Sequence, residues 1–249
     1  MKQLIKKLTL KVTSLLFNKK IESFLYEIIE YHTTGLSAKE ALRFLFNIDN
    51  KLYLLQGRMA VKYGDGTHPK HRHTHYHDFF IKRIHNGEKI LDVGCGYGAL
   101  AFEIAKKIEV EIVGIDVNAK NIQFAINKYS HPRIQYITGD VLIDIPDEYF
   151  DVVILSNVLE HLTNRVQFLK KIYIHVNPKR FLIRVPLFER EWQVPLKKEL
   201  GVAWKLDTTH QTEYTLESFS EELHSAKLKA IHQEVRWGEV WAEVVHHGT

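Results

Sequence analysis

Hydrophobic positions along the chain follow two different periods, and the change between them falls near residue 85. Before that point apolar residues recur at helical spacing, because residues three and four apart share one face of an α-helix. Ser37 and Glu40 stand at the spacing of a capping box and predict the start of a helix. We therefore predict a helical N-terminal arm over residues 1–85. One apolar stripe in this arm consists of Phe24, Leu25, Ile28 and Ile29.

From residue 89 onward, short apolar runs alternate with amphipathic segments. The runs KILDVG, EIVGID, RIQYIT, FDVVILS and RFLIRV are typical of buried strands. Helices are predicted over 99–107, 119–129 and 164–175. Such alternation predicts a mostly parallel sheet with helices on both faces. Two further strand-like runs flank Gly238 and predict a terminal antiparallel hairpin, so residues 86–249 are expected to form one α/β domain.

Composition narrows the class of protein. A chain of 249 residues with 45% hydrophobic residues can bury one large core with an appendage. The balance of 34 basic and 30 acidic residues is too even to indicate a nucleic-acid partner. Cys95 is the single cysteine, which excludes a disulfide framework and makes the cytoplasm the expected compartment. No apolar run is long enough to predict a membrane-spanning helix.

Residues 1–20 form a basic segment in which lysines interrupt an apolar set. Lys11 breaks any signal-peptide core, so we do not predict secretion. Two interpretations remain. The segment is either an amphipathic helix in peripheral contact with an anionic membrane, or an ordinary helix that docks its apolar face on the domain.

A glycine-rich loop follows the first predicted strand of the domain. Glycines there permit a tight turn and let backbone N–H groups approach a polar ligand, although nicotinamide, flavin and sulfonium cofactors all use such loops. Three acids narrow the choice. Asp92 is placed to meet a cationic amine, Asp116 to accept from ribose hydroxyls, and Asp140 to accept from an adenine amine. Together they fit a nucleoside that carries an amino acid better than a dinucleotide. The loop glycines are Gly94, Gly96 and Gly98.

The segments LDVGCGYG, IVGIDVN and GDVLIDIPDEYFDVVILSNVLEHL, in this order, resemble class I S-adenosylmethionine-dependent methyltransferases, in the branch with LEHL after the fourth strand. The resemblance covers residues 76–246. It implies a Rossmann-like, mostly parallel seven-stranded sheet with an antiparallel C-terminal hairpin, and S-adenosylmethionine as cofactor. The expected cofactor-binding residues are Tyr76, Asp92, Gly94, Gly96, Gly98, Asp116, Val117, Asp140, Val141, Ser156 and Asn157.

A histidine run, residues 68–77, precedes the domain and contains five histidines. If the run were one helix, His71 would share a face with His75 and His73 with His77. Three interpretations stay open: a segment that covers the cofactor, with Tyr76 over its methionine end; packed or solvated histidines; and a metal site. Because no second cluster of ligands completes a site, we predict no metal.

The insert after the fifth strand is the expected acceptor side, because ligands bind at the carboxyl ends of strands in such sheets. His210 lies in DTTHQTEYT, which resembles a pattern of the same branch, and it is a candidate to take a proton from an acceptor hydroxyl, as is His161. The alternative is that His210 only ties its loop to Thr215, the expected cap of the next helix. The predicted acceptor-binding residues are Arg184, Glu189, Trp192 and Tyr214.

These features predict an enzyme that methylates a small molecule or glycan, with oxygen as the expected acceptor atom. Two alternatives remain. One is a non-catalytic regulatory protein that binds the cofactor, and the other is a nicotinamide-dependent oxidoreductase of similar fold. The sequence leaves the identity of the acceptor and the oligomeric state open.

Overall fold

The computed structural model describes residues 21–65 and 68–248. The basic segment 1–20, with its predicted membrane contact, lies outside these residues. The described residues divide into two compact units, which are treated separately. The first comprises residues 21–56 together with Lys197–Ala203, and the second comprises residues 57–65, 68–196 and 204–248.

The first unit is helical. Helix α1 spans Ile21–Thr34, and helix α2 begins at Ala38 and ends at Tyr63, inside the second unit. The Ser37 amide donates to Glu40 Oε2 at 3.1 Å and the Glu40 amide donates to Ser37 Oγ at 3.4 Å, which confirms the predicted capping box. Within this unit the buried Lys197 ammonium lies 2.7 Å from Asp49 Oδ2.

The second unit contains a seven-stranded sheet in the order β3-β2-β1-β4-β5-β7-β6. The first five strands are parallel, and β7 pairs antiparallel with both β5 and β6. The predicted mostly parallel sheet with its C-terminal hairpin is therefore confirmed. The strands are β1 Lys89–Val93, β2 Glu111–Asp116, β3 Ile134–Thr138, β4 Val152–Ser156, β5 Arg180–Pro186, β6 Leu228–Arg236 and β7 Glu239–His246.

Helices in this unit follow the predicted alternation closely, and α5 has the predicted bounds. After α2, the helices are α3 Lys70–Thr74, α4 Tyr76–Ile81, α5 Ala99–Lys107, α6 Ala119–Lys128, α7 Arg165–Val176, α8 Gln193–Glu199, which ends inside the first unit, and α9 Leu216–Ser225. Among the residues that the structure describes, no helix is long and apolar enough to cross a membrane.

The core of the second unit lies on both faces of the sheet. Successive side chains of a strand point to opposite faces, and accordingly Ile90 and Leu91 of β1 belong to separate apolar clusters. The cluster of Leu91 includes buried residues of α7 and α9, and the cluster of Ile90 includes buried residues of α4 and α5 together with Trp241. Burial on both faces explains why the strand sequences are continuously apolar.

A buried ion pair ties the start of β5 to the residue before β1. The Arg180 guanidinium donates to both carboxylate oxygens of Glu88, at 2.8 and 2.7 Å. Glu88 Oε2 also accepts from the His85 amide at 2.8 Å. This pair lies at the amino ends of the parallel strands, so it secures the sheet at the edge opposite to the carboxyl ends, where the candidate site is built.

Candidate functional site: a glycine loop with three acids and a Glu–His–His cluster

The glycine loop between β1 and α5 has a backbone that suits glycine. Gly94, Gly96 and Gly98 have φ values of 65°, 55° and 80°, in the left-handed region that other residues rarely adopt. A Cβ on Gly98 would lie 2.6 Å from the Tyr136 hydroxyl, whereas a Cβ on Gly96 would meet no atom within 4 Å. Two of the glycines thus meet different needs: Gly98 allows close packing, and Gly96 leaves open space where a ligand can approach.

Asp116 at the end of β2 is held against this loop. Its Oδ2 accepts from the Gly96 amide at 2.9 Å, and its Oδ1 accepts from the Asn118 amide at 2.8 Å. The adjacent Val117 is exposed. The carboxylate is therefore fixed at the carboxyl end of the sheet next to the open side of Gly96, which is where the prediction places a ribose.

Asp92 is buried beneath the loop, with 2% of its surface exposed, and its Oδ2 has no hydrogen-bond partner among the described residues. Burial, with a smaller contribution from the negative charge of Asp116, raises the pKa of Asp92 from 3.8 to about 7. A buried carboxylate oxygen without a partner is costly. The site therefore fits a ligand with a positively charged amine, as S-adenosylmethionine has.

Asp140 and Val141 follow β3. Asp140 Oδ1 accepts from the Leu142 amide at 2.9 Å, and the Asp140 amide donates to Asp144 Oδ2 at 3.0 Å. Val141 packs against the apolar cluster of Leu91. Asp140 thus shapes the turn after β3, and its predicted contact with an adenine amine stays a prediction.

The histidine run forms two short helices, because His75 between α3 and α4 has φ 48°. The expectation that His71 and His75 would share one helix face is therefore wrong. The Tyr76 ring lies 5.2 Å from the His71 ring and 4.2 Å from the Arg184 guanidinium carbon. Burial is the main cause that raises the pKa of Tyr76 to about 12, and the nearby Asp92 charge adds to it. Tyr76 thus contacts Arg184 and lies within reach of the Asp92 charge.

Asn157 connects Arg184 to Glu160. Its backbone has φ 58° just after β4, and its amide N–H donates to the Arg184 carbonyl at 2.8 Å. Its Oδ1 accepts from Arg184 Nε at 2.8 Å, and its Nδ2 donates to Glu160 Oε1 at 2.9 Å. Because a guanidinium can only donate, Arg184 fixes the side-chain oxygen of Asn157 as the acceptor. The side-chain NH₂ group of Asn157 is therefore directed to Glu160. Ser156, the last residue of β4, is half-buried beside it.

Glu160 and His161 lie in a 3₁₀ turn, Leu159–His161, which precedes α7. The Glu160 carbonyl accepts from the amides of Gln211 at 2.7 Å and Thr212 at 3.3 Å. These bonds hold the loop of His210 against the turn, so that the His161 and His210 rings lie 4.8 Å apart. We call Glu160, His161 and His210 the Glu–His–His cluster.

The Glu160 carboxyl is buried, and its Oε2 has no hydrogen-bond partner within the described part of the chain. Burial raises the pKa of Glu160 to about 7, although hydrogen bonds and the charges of His210 and Arg184 oppose this. The cluster thus contains a carboxyl oxygen that faces no protein donor.

His210 is oriented by the buried Glu213. His210 Nδ1 lies 3.1 Å from Glu213 Oε1, which also accepts from the Leu206 amide at 2.5 Å, while the Arg190 guanidinium pairs with Glu213 Oε2. Burial would raise the pKa of Glu213, but these hydrogen bonds outweigh burial and hold it below its usual value. Because an ionised carboxylate only accepts, His210 carries its proton on Nδ1 and leaves Nε2 free.

His161 is oriented in the same way by a hydroxyl. The Thr209 hydroxyl donates to Asp207 Oδ1 at 2.7 Å and lies 2.9 Å from His161 Nδ1. A hydroxyl has a single hydrogen, so Thr209 accepts from His161 Nδ1–H. His161 Nε2 therefore also keeps a free lone pair.

Some predicted acceptor residues lie elsewhere. Tyr214 is buried in the core, where its hydroxyl donates to Glu222 Oε1 at 2.6 Å. It therefore packs in the core and does not lie where an acceptor could reach it, contrary to the prediction. Thr215 caps α9 as predicted. Glu189 and Trp192 are exposed, and their acceptor roles stay predictions.

Sequence reasoning missed Glu213, which orients His210, and the connecting role of Asn157. The spacing of three residues between His210 and Glu213 in HQTE was the available signal for the first. No comparable signal existed for Asn157, because its function depends on contacts with β5.

Comparison with known proteins agrees with this geometry. Residues 91–183 match the model of a methyltransferase domain family. The ubiquinone biosynthesis O-methyltransferase of Rhodopseudomonas palustris (strain TIE-1) is 31% identical over 152 residues, 58% of this chain and 59% of that protein. Phosphoethanolamine N-methyltransferase 3 of Arabidopsis thaliana is 30% identical over 95 residues, 37% of this chain and 19% of that protein. The chain thus spans about three-fifths of the first relative's length.

Among solved structures, magnesium protoporphyrin IX methyltransferase from Synechocystis PCC 6803 with bound SAH has the same fold. Its TM-score is 0.56 at 16% identity, and the match covers 70% of this chain and 83% of that one. The nicotinamide hypothesis finds no support in these matches. Residues 91–183 thus resemble a methyltransferase domain, and the seven-stranded sheet has the fold of a solved methyltransferase structure.

Proposed function

We propose that this protein transfers a methyl group from S-adenosylmethionine to a hydroxyl group of a small molecule or glycan. One observation carries the proposal. Arg184 links the two halves of the site, because its guanidinium contacts Tyr76, near Asp92, and also Asn157, which donates to Glu160 of the Glu–His–His cluster.

The cofactor, when bound, supplies an electrophilic methyl group. In the proposal, Asp92 pairs with its amine by a charge-assisted hydrogen bond, and Asp116 accepts from the ribose hydroxyls. Asp116 already contacts the Gly96 amide, so the loop and the carboxylate are positioned together before the ligand arrives. Such preorganisation lowers the cost of binding.

The acceptor side is proposed to be the Glu–His–His cluster. The free Nε2 atoms of His161 and His210 are hydrogen-bond acceptors, and a hydroxyl is a matching donor. Transfer of a sulfonium methyl needs mainly alignment of the reacting atoms and exclusion of water. The half-buried Arg184 and Tyr76 are suited to exclude water between the two sides.

Oxygen is favoured over nitrogen as the acceptor atom by the same chemistry. A protonated amine carries no lone pair with which to attack the methyl group, whereas a neutral hydroxyl keeps its lone pairs. The Rhodopseudomonas relative is named as an O-methyltransferase and the Arabidopsis relative as an N-methyltransferase, so nitrogen is the competing atom that an experiment must test.

The test uses purified protein, isotopically labelled S-adenosylmethionine and a panel of phenols, catechols and sugars, each paired with its amine analogue. We expect label in the hydroxyl compounds. Asp116→Asn, which keeps one carbonyl acceptor for the Gly96 amide, should weaken cofactor binding at least tenfold in calorimetry, while the exposed Asp147→Asn should not.

Three results would contradict the proposal in different ways. Label in the amines alone would make the protein an N-methyltransferase. Tight cofactor binding without turnover on the whole panel would favour a regulatory protein. Unchanged affinity in Asp116→Asn would refute the ribose assignment.

A further inference from the structure

Among the residues that the structure describes, one group of three potential metal ligands comes together, and it is the Glu–His–His cluster. One ligand atom from each residue lies within 4.8 Å of the other two. We propose that Glu160, His161 and His210 bind a divalent transition-metal ion, with Zn²⁺ as the best chemical match. The inference rests on the proposed function and deepens it, because the ion gives the acceptor hydroxyl a binding partner.

Both histidines are prepared as ligands. A metal-binding imidazole usually donates its second ring N–H to a carboxylate or another oxygen, which fixes the ring and its tautomer. His210 Nδ1 meets the Glu213 carboxylate at 3.1 Å, and His161 Nδ1 meets the Thr209 hydroxyl at 2.9 Å. In each residue Nε2 is therefore the nitrogen with the free lone pair.

Glu160 supplies an independent observation. The residue is fully buried, its Oε1 accepts from Asn157, and its Oε2 has no hydrogen-bond partner within the described residues. A buried carboxylate oxygen without a donor is rare because it loses its hydration without compensation. A cation bound by the two histidines would restore a partner to this oxygen.

The ligand set identifies the class of ion. Two imidazoles and one carboxylate with an open fourth position are a common catalytic zinc set, whereas Mg²⁺ and Ca²⁺ prefer oxygen ligands. Bonds of about 2.0–2.1 Å in a tetrahedron need ligand atoms about 3.3 Å apart. The present separations of up to 4.8 Å therefore require the side chains to draw together on binding.

His161 is exposed, so the cluster has an entry path and a side for a fourth ligand. An acceptor hydroxyl bound there would lose its proton more readily, because a metal ion acts as a Lewis acid. The proton would go to solvent. An oxygen lone pair would then form the new C–O bond, and the electrons of the breaking S–CH₃ bond would return to sulfur, which becomes neutral.

The experiment measures metal binding without turnover. The full chain is stripped with chelator and titrated calorimetrically with ZnCl₂, and with MgCl₂ for comparison. Reconstitution with Co²⁺ adds a spectroscopic readout, the intense visible bands of a tetrahedral ion. We expect one Zn²⁺ per chain and at least tenfold weaker binding of Mg²⁺.

Three variants locate the ion. His161→Ala removes an exposed ligand and should leave the fold intact, and His210→Ala removes the second imidazole. Each should weaken Zn²⁺ binding at least 100-fold, whereas His73→Ala, an exposed histidine of the histidine run, should not change it.

Binding that is absent, or that survives His161→Ala and His210→Ala but not His73→Ala, would overturn the inference. Methylation by the metal-free protein without stoichiometric Zn²⁺ binding would refute the metal site and leave the proposed function standing. One Zn²⁺ per chain, lost in both cluster variants, with no methylation on any acceptor would support the metal site and refute the proposed function.

Discussion

Asp92 is a buried acid whose partner is expected to arrive with the cofactor, and Asp92→Asn tests this directly. In the free protein the pKa of Asp92 is raised to about 7 from 3.8, first by burial and then by the charge of Asp116. Between these two values the folded chain keeps a proton that the unfolded chain has released. Stability therefore falls as pH rises from about 4 to about 7, and the penalty is complete above pH 7.

Asparagine cannot ionise, so Asp92→Asn avoids this penalty. At about 1.4 kcal/mol per pH unit, the penalty in the parent is about 1–2 kcal/mol at pH 5 and about 4 kcal/mol at pH 8. The buried amide has its own cost of about 1–3 kcal/mol, but that cost does not depend on pH. The free energy of unfolding of the variant, relative to that of the parent, should thus rise by about 2–3 kcal/mol between pH 5 and pH 8.

Urea unfolding of the cofactor-free protein at several pH values measures this shift. Asp147→Asn, which changes an exposed carboxylate, is the matched control and should show almost no shift. A stability difference for Asp92→Asn that is constant from pH 5 to pH 8 would show that Asp92 is already ionised in the free protein, and would refute the argument.

Cofactor binding should lower the raised pKa of Asp92. A cationic amine beside Asp92 favours the carboxylate, so binding of S-adenosylmethionine near pH 6 should release close to one proton from the parent. Calorimetry in buffers of different ionisation enthalpy counts that proton. Asp92→Asn should release none from this position and bind at least tenfold more weakly, even though it is the more stable protein at pH 8.

Two further predictions concern the scaffold of the site, and urea unfolding measures both. Gly98→Ala places a Cβ 2.6 Å from the Tyr136 hydroxyl at φ 80° and should cost about 2–4 kcal/mol. Gly96→Ala has open space at its Cβ and should cost about 1–2 kcal/mol. Equal costs would show that the contact with Tyr136 does not matter. Glu88→Ala removes the carboxylate that accepts twice from the buried Arg180 guanidinium and leaves the Glu243 carboxylate, at 3.5 Å, as an ion-pair partner. The loss should cost about 2–4 kcal/mol. A loss below about 1 kcal/mol would mean that water reaches the guanidinium.

The sheet and its helices were predictable because local pattern and tertiary burial agree there. The β4 run VVIL is buried on both faces. Helix α5 buries Leu100, Ala101, Ile104 and Ala105 on one face, as an amphipathic helix should. The break in the histidine run was not predictable. Only a few per cent of residues other than glycine adopt a left-handed φ such as the 48° found at His75, and nothing in the spacing of the histidines marks the break.

The proposed cofactor half of the site could be predicted from the sequence, whereas the Glu–His–His cluster could not. The proposed cofactor half is built from loops that directly follow neighbouring parallel strands, so Asp92, Gly96 and Asp116 can be found by their positions at strand ends. The Glu–His–His cluster joins residues about fifty positions apart through two backbone hydrogen bonds to the Glu160 carbonyl, which no periodicity encodes. A sequence of this kind therefore indicates the cofactor more sharply than the acceptor.

It also follows that a deletion within the His210 loop should abolish acceptor methylation and leave binding of S-adenosylmethionine largely intact, since the loop makes no hydrogen bond to the described residues of the glycine loop.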